Sequence, residues 1–136
     1  MKKSILSTVG VVTSILVAVL VRQLFFSTTF DKELMKVAGE MNKSCPVMVD
    51  SETRLDNTMA LPENVLRYNY TLINMTSDMI DVENLKSNLE PMILNQVKTN
   101  PDLKLFRDHR TTMSYSYKDK EGRFILQIDI TPDKYD

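Results

Sequence analysis

The sequence predicts an α+β protein in which an N-terminal transmembrane helix precedes a small helix-hairpin-helix-hairpin domain, its antiparallel sheet covered by helices. Three observations carry that prediction. An uncharged run, Ser4 to Val21, opens the chain directly behind Lys2 and Lys3. Two later stretches repeat apolar side chains at helical spacing. Each is followed by stretches in which apolar and polar residues alternate, the period-2 pattern of half-buried strands.

The opening run sets the first element. A bilayer core of about 30 Å takes roughly 20 mostly apolar helical residues, so residues 4–26 suffice as a transmembrane anchor if Arg22 and Gln23 reach the headgroups. Residues 1–3 are then a basic stub. A cleaved secretory signal is the rival, but the run exceeds the roughly 7 to 15 apolar residues of a signal peptide. The run ends in Val21-Arg22-Gln23-Leu24-Phe25-Phe26, charged and then bulky, with no small-x-small cleavage site. A lipoprotein signal needs a cysteine just after the run, and Cys45 lies far beyond it. Lys2 and Lys3 on one side nearly balance Arg22, Lys32 and Lys36 on the other. A short basic stub before an apolar run resembles a single-pass signal anchor, which places the C-terminal domain outside the cytoplasm. Within the run Gly10 and Ser14 form a small-xxx-small pair that suits helix contact, although Ser and Thr hydroxyls also satisfy themselves on carbonyls one turn back.

Residues 27–136 leave room for a single domain. Phe30, Leu34, Val37, Ala38 and Met41 share one face of an amphipathic helix that ends before Pro46. Val47 to Asp50 and a polar stretch, Ser51 to Asn57, come next. Thr58 to Leu61 and Val65 to Ile73, separated by Pro62-Glu63-Asn64, read as an antiparallel hairpin with Leu66, Tyr68, Tyr70 and Leu72 on one face. Ile80, Leu85, Leu89, Met92, Ile93 and Val97 mark a second helical face around Pro91, which implies a kink or two shorter helices. After Asn100-Pro101-Asp102, residues 110–118 and 122–130 form a second hairpin around Gly122. Met113, Tyr115 and Tyr117 share a face of one strand; Phe124, Leu126, Ile128 and Ile130 share a face of the other.

Composition narrows function. A net charge of -1 from 17 basic and 18 acidic residues supplies no field for steering nucleic acid, so no nucleic-acid partner is expected. One cysteine excludes an intrachain disulfide. Three glycines and no tryptophan speak against phosphate-cradling loops and aromatic cages. Most of the nine methionines, the initiator included in that number, recur at buried-looking positions and are expected as core filler. Cys45 and His109, the lone thiol and imidazole, would have to meet in space to act as nucleophile and base, and His109 lies in a polar stretch between Asp108 and Arg110. One Cys and one His also fall short of a zinc ligand set. No catalytic residue, cofactor, metal or small-molecule ligand is therefore inferred. Asn42-Lys43-Ser44, Asn69-Tyr70-Thr71 and Asn74-Met75-Thr76 match the glycosylation acceptor pattern, which has meaning only in a eukaryotic secretory route.

The densest group of specific side chains is the segment Cys45 to Asp56. Arg54 beside Asp50, Glu52 and Asp56 can form a forked ion pair that fixes a turn, and Thr53 can cap a backbone donor. Asp50, Thr53, Arg54 and Asp56 are accordingly the candidate turn-fixing or interaction residues. The Cys45-Pro46 run, the tetrapeptide Thr53 to Asp56 and the strand Tyr68 to Leu72 resemble a group of small bacterial proteins, membrane-anchored or exported, to which no function is attached. The expected function is a single-pass anchored, non-enzymatic accessory domain that binds a protein or envelope component beside the membrane. A subunit assembled into a larger membrane complex through its transmembrane helix is the alternative, and an enzyme the third class.

Overall fold

The computed structural model of the protein describes residues 30–136. They begin in helix α1, over residues 30–42, and continue through β1 (Val47–Met48), β2 (Thr53–Leu61), β3 (Val65–Leu72), α2 (Val82–Thr99), α3 (Lys104–Asp108), β4 (Thr112–Lys118), β5 (Phe124–Ile130) and α4 (Pro132–Tyr135). The five strands form one sheet in the order β1-β2-β3-β4-β5.

The expected all-antiparallel sheet is corrected. Strands β3 and β4 run parallel, with Tyr68 opposite Tyr115 and Tyr70 opposite Tyr117, while the other three pairings are antiparallel. The cause is α2, which carries the chain back along the sheet before β4 begins; a strand that re-enters beside its predecessor after such a return must be parallel to it. The architecture is thus a mixed five-stranded sheet with helices, and not two helix-hairpin units. Among the described residues no helix is long and apolar enough to cross a membrane. The stub 1–3 and the anchor expected at 4–26 lie outside the described residues.

One face of the sheet carries the core. Leu66, Met113, Ile130 and Val97 are fully buried, with Leu34 and Ile128 close to it; each such side chain contributes about 1.5–3 kcal/mol on leaving water. Helix α1 buries Phe30, Leu34 and Ala38, spaced one turn apart, against that face. Helix α2 buries Ile93 and Val97 and packs against β5. Pro91 lies inside α2, which nevertheless runs as one helix of 18 residues. Its ring deprives only the carbonyl of Ser87 of a donor, and Ser87 is exposed to water.

Side-chain clips set the helices on the sheet. β1 covers only Leu55 and Arg54 of β2. Beyond it the edge is closed by Asn42 at the end of α1, whose Nδ2 donates to the Thr58 carbonyl (2.9 Å) while its Oδ1 accepts from Thr58 N (2.6 Å). Thr58 Oγ1 donates to the Ala38 carbonyl (3.1 Å). Asp81 caps α2 by accepting from Asn84 N (3.1 Å), and Arg107 of α3 donates to the carbonyls of Val97 (2.8 Å) and Asn100 (2.7 Å), groups the helix end leaves unpaired. Asp119, fully buried at the β4–β5 turn, accepts from the backbone N–H groups of Glu121, Arg123 and Ser77 at 2.9 Å each. That carboxylate fastens the hairpin to the segment that leads into α2. Gly122 completes the turn at φ 83, a conformation that suits glycine.

Candidate functional site: a tyrosine-floored groove

Helices α1 and α2 both lie on the core face of the sheet, and a cavity of about 640 Å³ opens between them. Its floor is a two-by-two array of tyrosines from the parallel central strands. Tyr68 stacks on Tyr115 at 5.0 Å between ring centroids, and Tyr70 on Tyr117 at 4.9 Å. The parallel register brings these pairs side by side, because Tyr-x-Tyr on β3 faces Tyr-x-Tyr on β4 residue for residue. Burial pushes the Tyr68 hydroxyl up to about 12. Tyr117 rises to about 12 through burial and the nearby Asp50 carboxylate. Burial and neighbouring tyrosines raise Tyr70 and Tyr115 further. All four are neutral at physiological pH and act as hydroxyl-tipped apolar surface.

The walls are apolar and incompletely packed. Leu85, Leu89, Met92 and Ile93 of α2 face the cavity, with Met41 of α1 and Met75 after β3. The methionines overturn the expectation of core filler. Met113 is buried, but Met92 is 65% and Met75 38% exposed, and Met35, Met48, Met59 and Met79 are exposed as well. Unbranched, polarizable thioethers left open around a groove adapt to more than one partner shape. Gln96, Asn100 and Leu103 line the region towards the end of α2; Val49, Asp50, Glu52 and Thr53 line the region of the β1–β2 turn.

The structure divides the candidate residues taken from Cys45 to Asp56. Asp50 fixes the β1–β2 turn, its Oδ1 accepting from Glu52 N (2.8 Å) and Thr53 N (2.7 Å), and both Asp50 and Thr53 border the groove. The Glu52 N–H bond holds the Asp50 carboxyl below the usual carboxylate range, so it is charged. Arg54 and Asp56 are elsewhere. They belong to strand β2, where Arg54 Nε pairs with Asp56 (2.6 Å), and Asp56 also accepts from Thr71 Oγ1 (2.5 Å) and sits 3.6 Å from Lys118 Nζ. Thr71 and Lys118 alternate with Tyr70 and Tyr117 along their strands and therefore face the opposite side of the sheet. The Arg54–Asp56 pair thus lies on the sheet face opposite the groove. The groove tyrosines had a sequence signal in the duplicated Tyr-x-Tyr; the parallel register that unites them did not.

Cys45 and His109 do not form a pair. Cys45 Sγ donates to the Met41 carbonyl (3.5 Å), whereas His109 stacks on Phe30 at 3.9 Å with Nδ1 2.9 Å from the Leu105 carbonyl. Among the described residues no cluster of three or more His, Cys, Asp or Glu could hold a metal ion.

Residues 29–126 match the family described as a domain of unknown function, DUF8479, and the chain belongs to that family. No match is found among curated proteins. The fold is shared with solved structures of low identity. A candidate secreted protein from Pseudomonas aeruginosa aligns with TM-score 0.67 and 15% identity, over 81% of this chain and 96% of its own. The pilotin EpsS of the Vibrio vulnificus type 2 secretion system aligns with TM-score 0.63 and 10% identity, over 81% and 94%. The type II secretion system pilotin AspS from Vibrio cholerae gives TM-score 0.60 and 8% identity, over 79% and 94%.

Proposed function

We propose that the protein is a non-enzymatic accessory protein that acts outside the cytoplasm by holding an apolar helical segment of a partner protein in the groove between α1 and α2. The observation that carries this is the groove itself: apolar walls from α1 and α2 that include half-buried Met41 and exposed Met92, with exposed Met75 beside them, over a floor of stacked tyrosines. An amphipathic helix laid between two helices buries its apolar face as a third member of that layer. Aromatic rings anchor such contacts at little entropic cost. Two of the structures that share the fold are pilotins of secretion systems and a third is a candidate secreted protein, which supports an accessory role in protein export. The single-pass signal anchor expected at residues 4–26 is no part of that role and lies outside the described residues.

Site-specific photo-crosslinking in the native host tests the proposal. A benzoylphenylalanine placed at Met92 or at Met75 is expected to give an adduct that maps to an amphipathic helical segment of one protein. The same probe at Phe124, exposed on β5 and absent from the groove lining, is expected to give none. Adducts to lipid alone, or identical adducts from all three positions, would refute it.

A further inference from the structure

The groove is electrically lopsided. Its lining carries two carboxylates, Asp50 and Glu52, both at the β1–β2 turn, and no Lys, Arg or His; the region near the end of α2 offers only the neutral amides of Gln96 and Asn100. Neither carboxylate is held in an ion pair among the described residues. Asp50 spends Oδ1 on its own turn, and Glu52 Oε2 accepts from the Asn74 amide (2.9 Å). An apolar groove closed at one end by uncompensated negative charge selects for positive charge on whatever enters it. It correspondingly disfavours a fatty acid or other anionic amphiphile, whose headgroup would find no cation there.

We infer that the docked segment is an amphipathic helix with Lys or Arg at one end, and that Asp50 and Glu52 seat that end and so fix the direction in which the helix lies. This rests on the groove being the docking site. From Leu85 to Gln96 the α2 wall extends about 17 Å, the length of an ~11-residue helix at 1.5 Å per residue. The cation therefore belongs within the first or last turn of the docked helix. Its contribution is a specificity term laid over apolar burial. Exposed carboxylate–ammonium pairs are individually weak, so two of them set a preference of about fivefold, equivalent to ~1 kcal/mol.

Two synthetic peptides test this against the full chain by fluorescence anisotropy at low salt. They share one Leu/Met-rich helical face and differ only in carrying two lysines or two glutamates in a terminal turn. The lysine peptide is expected to bind about fivefold more tightly, and added salt to reduce the difference. In the Asp50→Asn/Glu52→Gln variant the acceptor oxygens of the turn remain and both charges are gone; there the two peptides are expected to bind alike. Equal binding to the native protein, or a lysine preference that survives in the variant, would overturn the inference while leaving the groove as a docking site. Failure of both peptides to bind would overturn the groove reading together with it.

Discussion

Asn42→Ala is the perturbation that most directly probes how the groove is built. The Asn42 carboxamide stands in for a missing strand, donating to the Thr58 carbonyl and accepting from the Thr58 N–H, and Thr58 Oγ1 also lies 3.0 Å from its Oδ1. Thr58 is 2% exposed. Truncation deletes hydrogen bonds worth about 1 kcal/mol each and leaves a buried N–H and C=O that cost roughly 1–3 kcal/mol when unpaired. Water entering the vacated space recovers part of this, so the expected loss is about 2–4 kcal/mol, among the larger effects of a half-buried polar side chain. For a domain near 100 residues that lowers the melting temperature by about 10–20 °C. Urea unfolding followed by circular dichroism measures it. Asn42→Asp, which keeps the acceptor and loses the donor, is expected to fall between wild type and Asn42→Ala. A loss under about 0.5 kcal/mol for Asn42→Ala would show that α1 is held by its apolar stripe alone and that the clip contributes nothing.

Two pH responses arise from the carboxylate and tyrosine environments. Burial raises the Asp56 carboxyl, but hydrogen bonds from Thr71 and Arg54 and the charges of Arg54 and Lys118 outweigh it, leaving its pKa below the ordinary 3.8. A depressed folded-state pKa gives stability that is present above about pH 4 and lost as pH falls through the folded value. Asp56→Asn is therefore expected to lower stability at pH 7 yet flatten its decline below about pH 4, and an unchanged acid slope would contradict the assignment. For the groove tyrosines the sign is opposite. With Tyr68 and Tyr117 raised to about 12 and Tyr70 and Tyr115 raised as well, the folded state retains protons that the unfolded chain releases near pH 10. Stability is expected to fall as pH rises past about 10, with tyrosinate absorbance near 295 nm appearing together with loss of the fold. Reversible ionisation of all the tyrosines near pH 10 in an intact fold would refute the closed floor.

The strands visible in the sequence are those with uninterrupted alternation, and the exceptions have local causes. Val65 to Leu72 and Thr112 to Lys118 present Leu66, Tyr68, Tyr70 and Met113, Tyr115, Tyr117 every second residue, so their inward faces were legible. The first half of β2 was hidden because a bulge between Leu55 and Asn57 changes its spacing: Thr53, Leu55, Thr58 and Ala60 face inward at intervals of two, three and two. Two of those four are threonines, which periodicity scores as polar. At β5 the register shift beside Lys118 leaves Phe124 exposed and Ile125 buried, against the simple alternation. Helices α3 and α4 are a single turn or little more, too short to show a period, and are held by Phe106, by Arg107 and by the Tyr135 hydroxyl on the Thr111 carbonyl (2.8 Å).

The groove was illegible for a different reason. Its residues obey the same hydrophobic pattern as a core, so Leu85, Leu89 and Met92 read as the buried face of α2, while in the structure Leu85 and Leu89 are half-buried and Met92 is exposed. Hydrophobic patterning reports which face of a helix turns towards apolar surroundings, not whether this chain or another supplies them. The first half of α2 is thus patterned for a core that the described residues supply only in part, over tyrosines that are themselves largely buried. The lone charges at its margin, Asp50 and Glu52, are where a partner's contribution can be tested separately from the apolar face it shares with any interior.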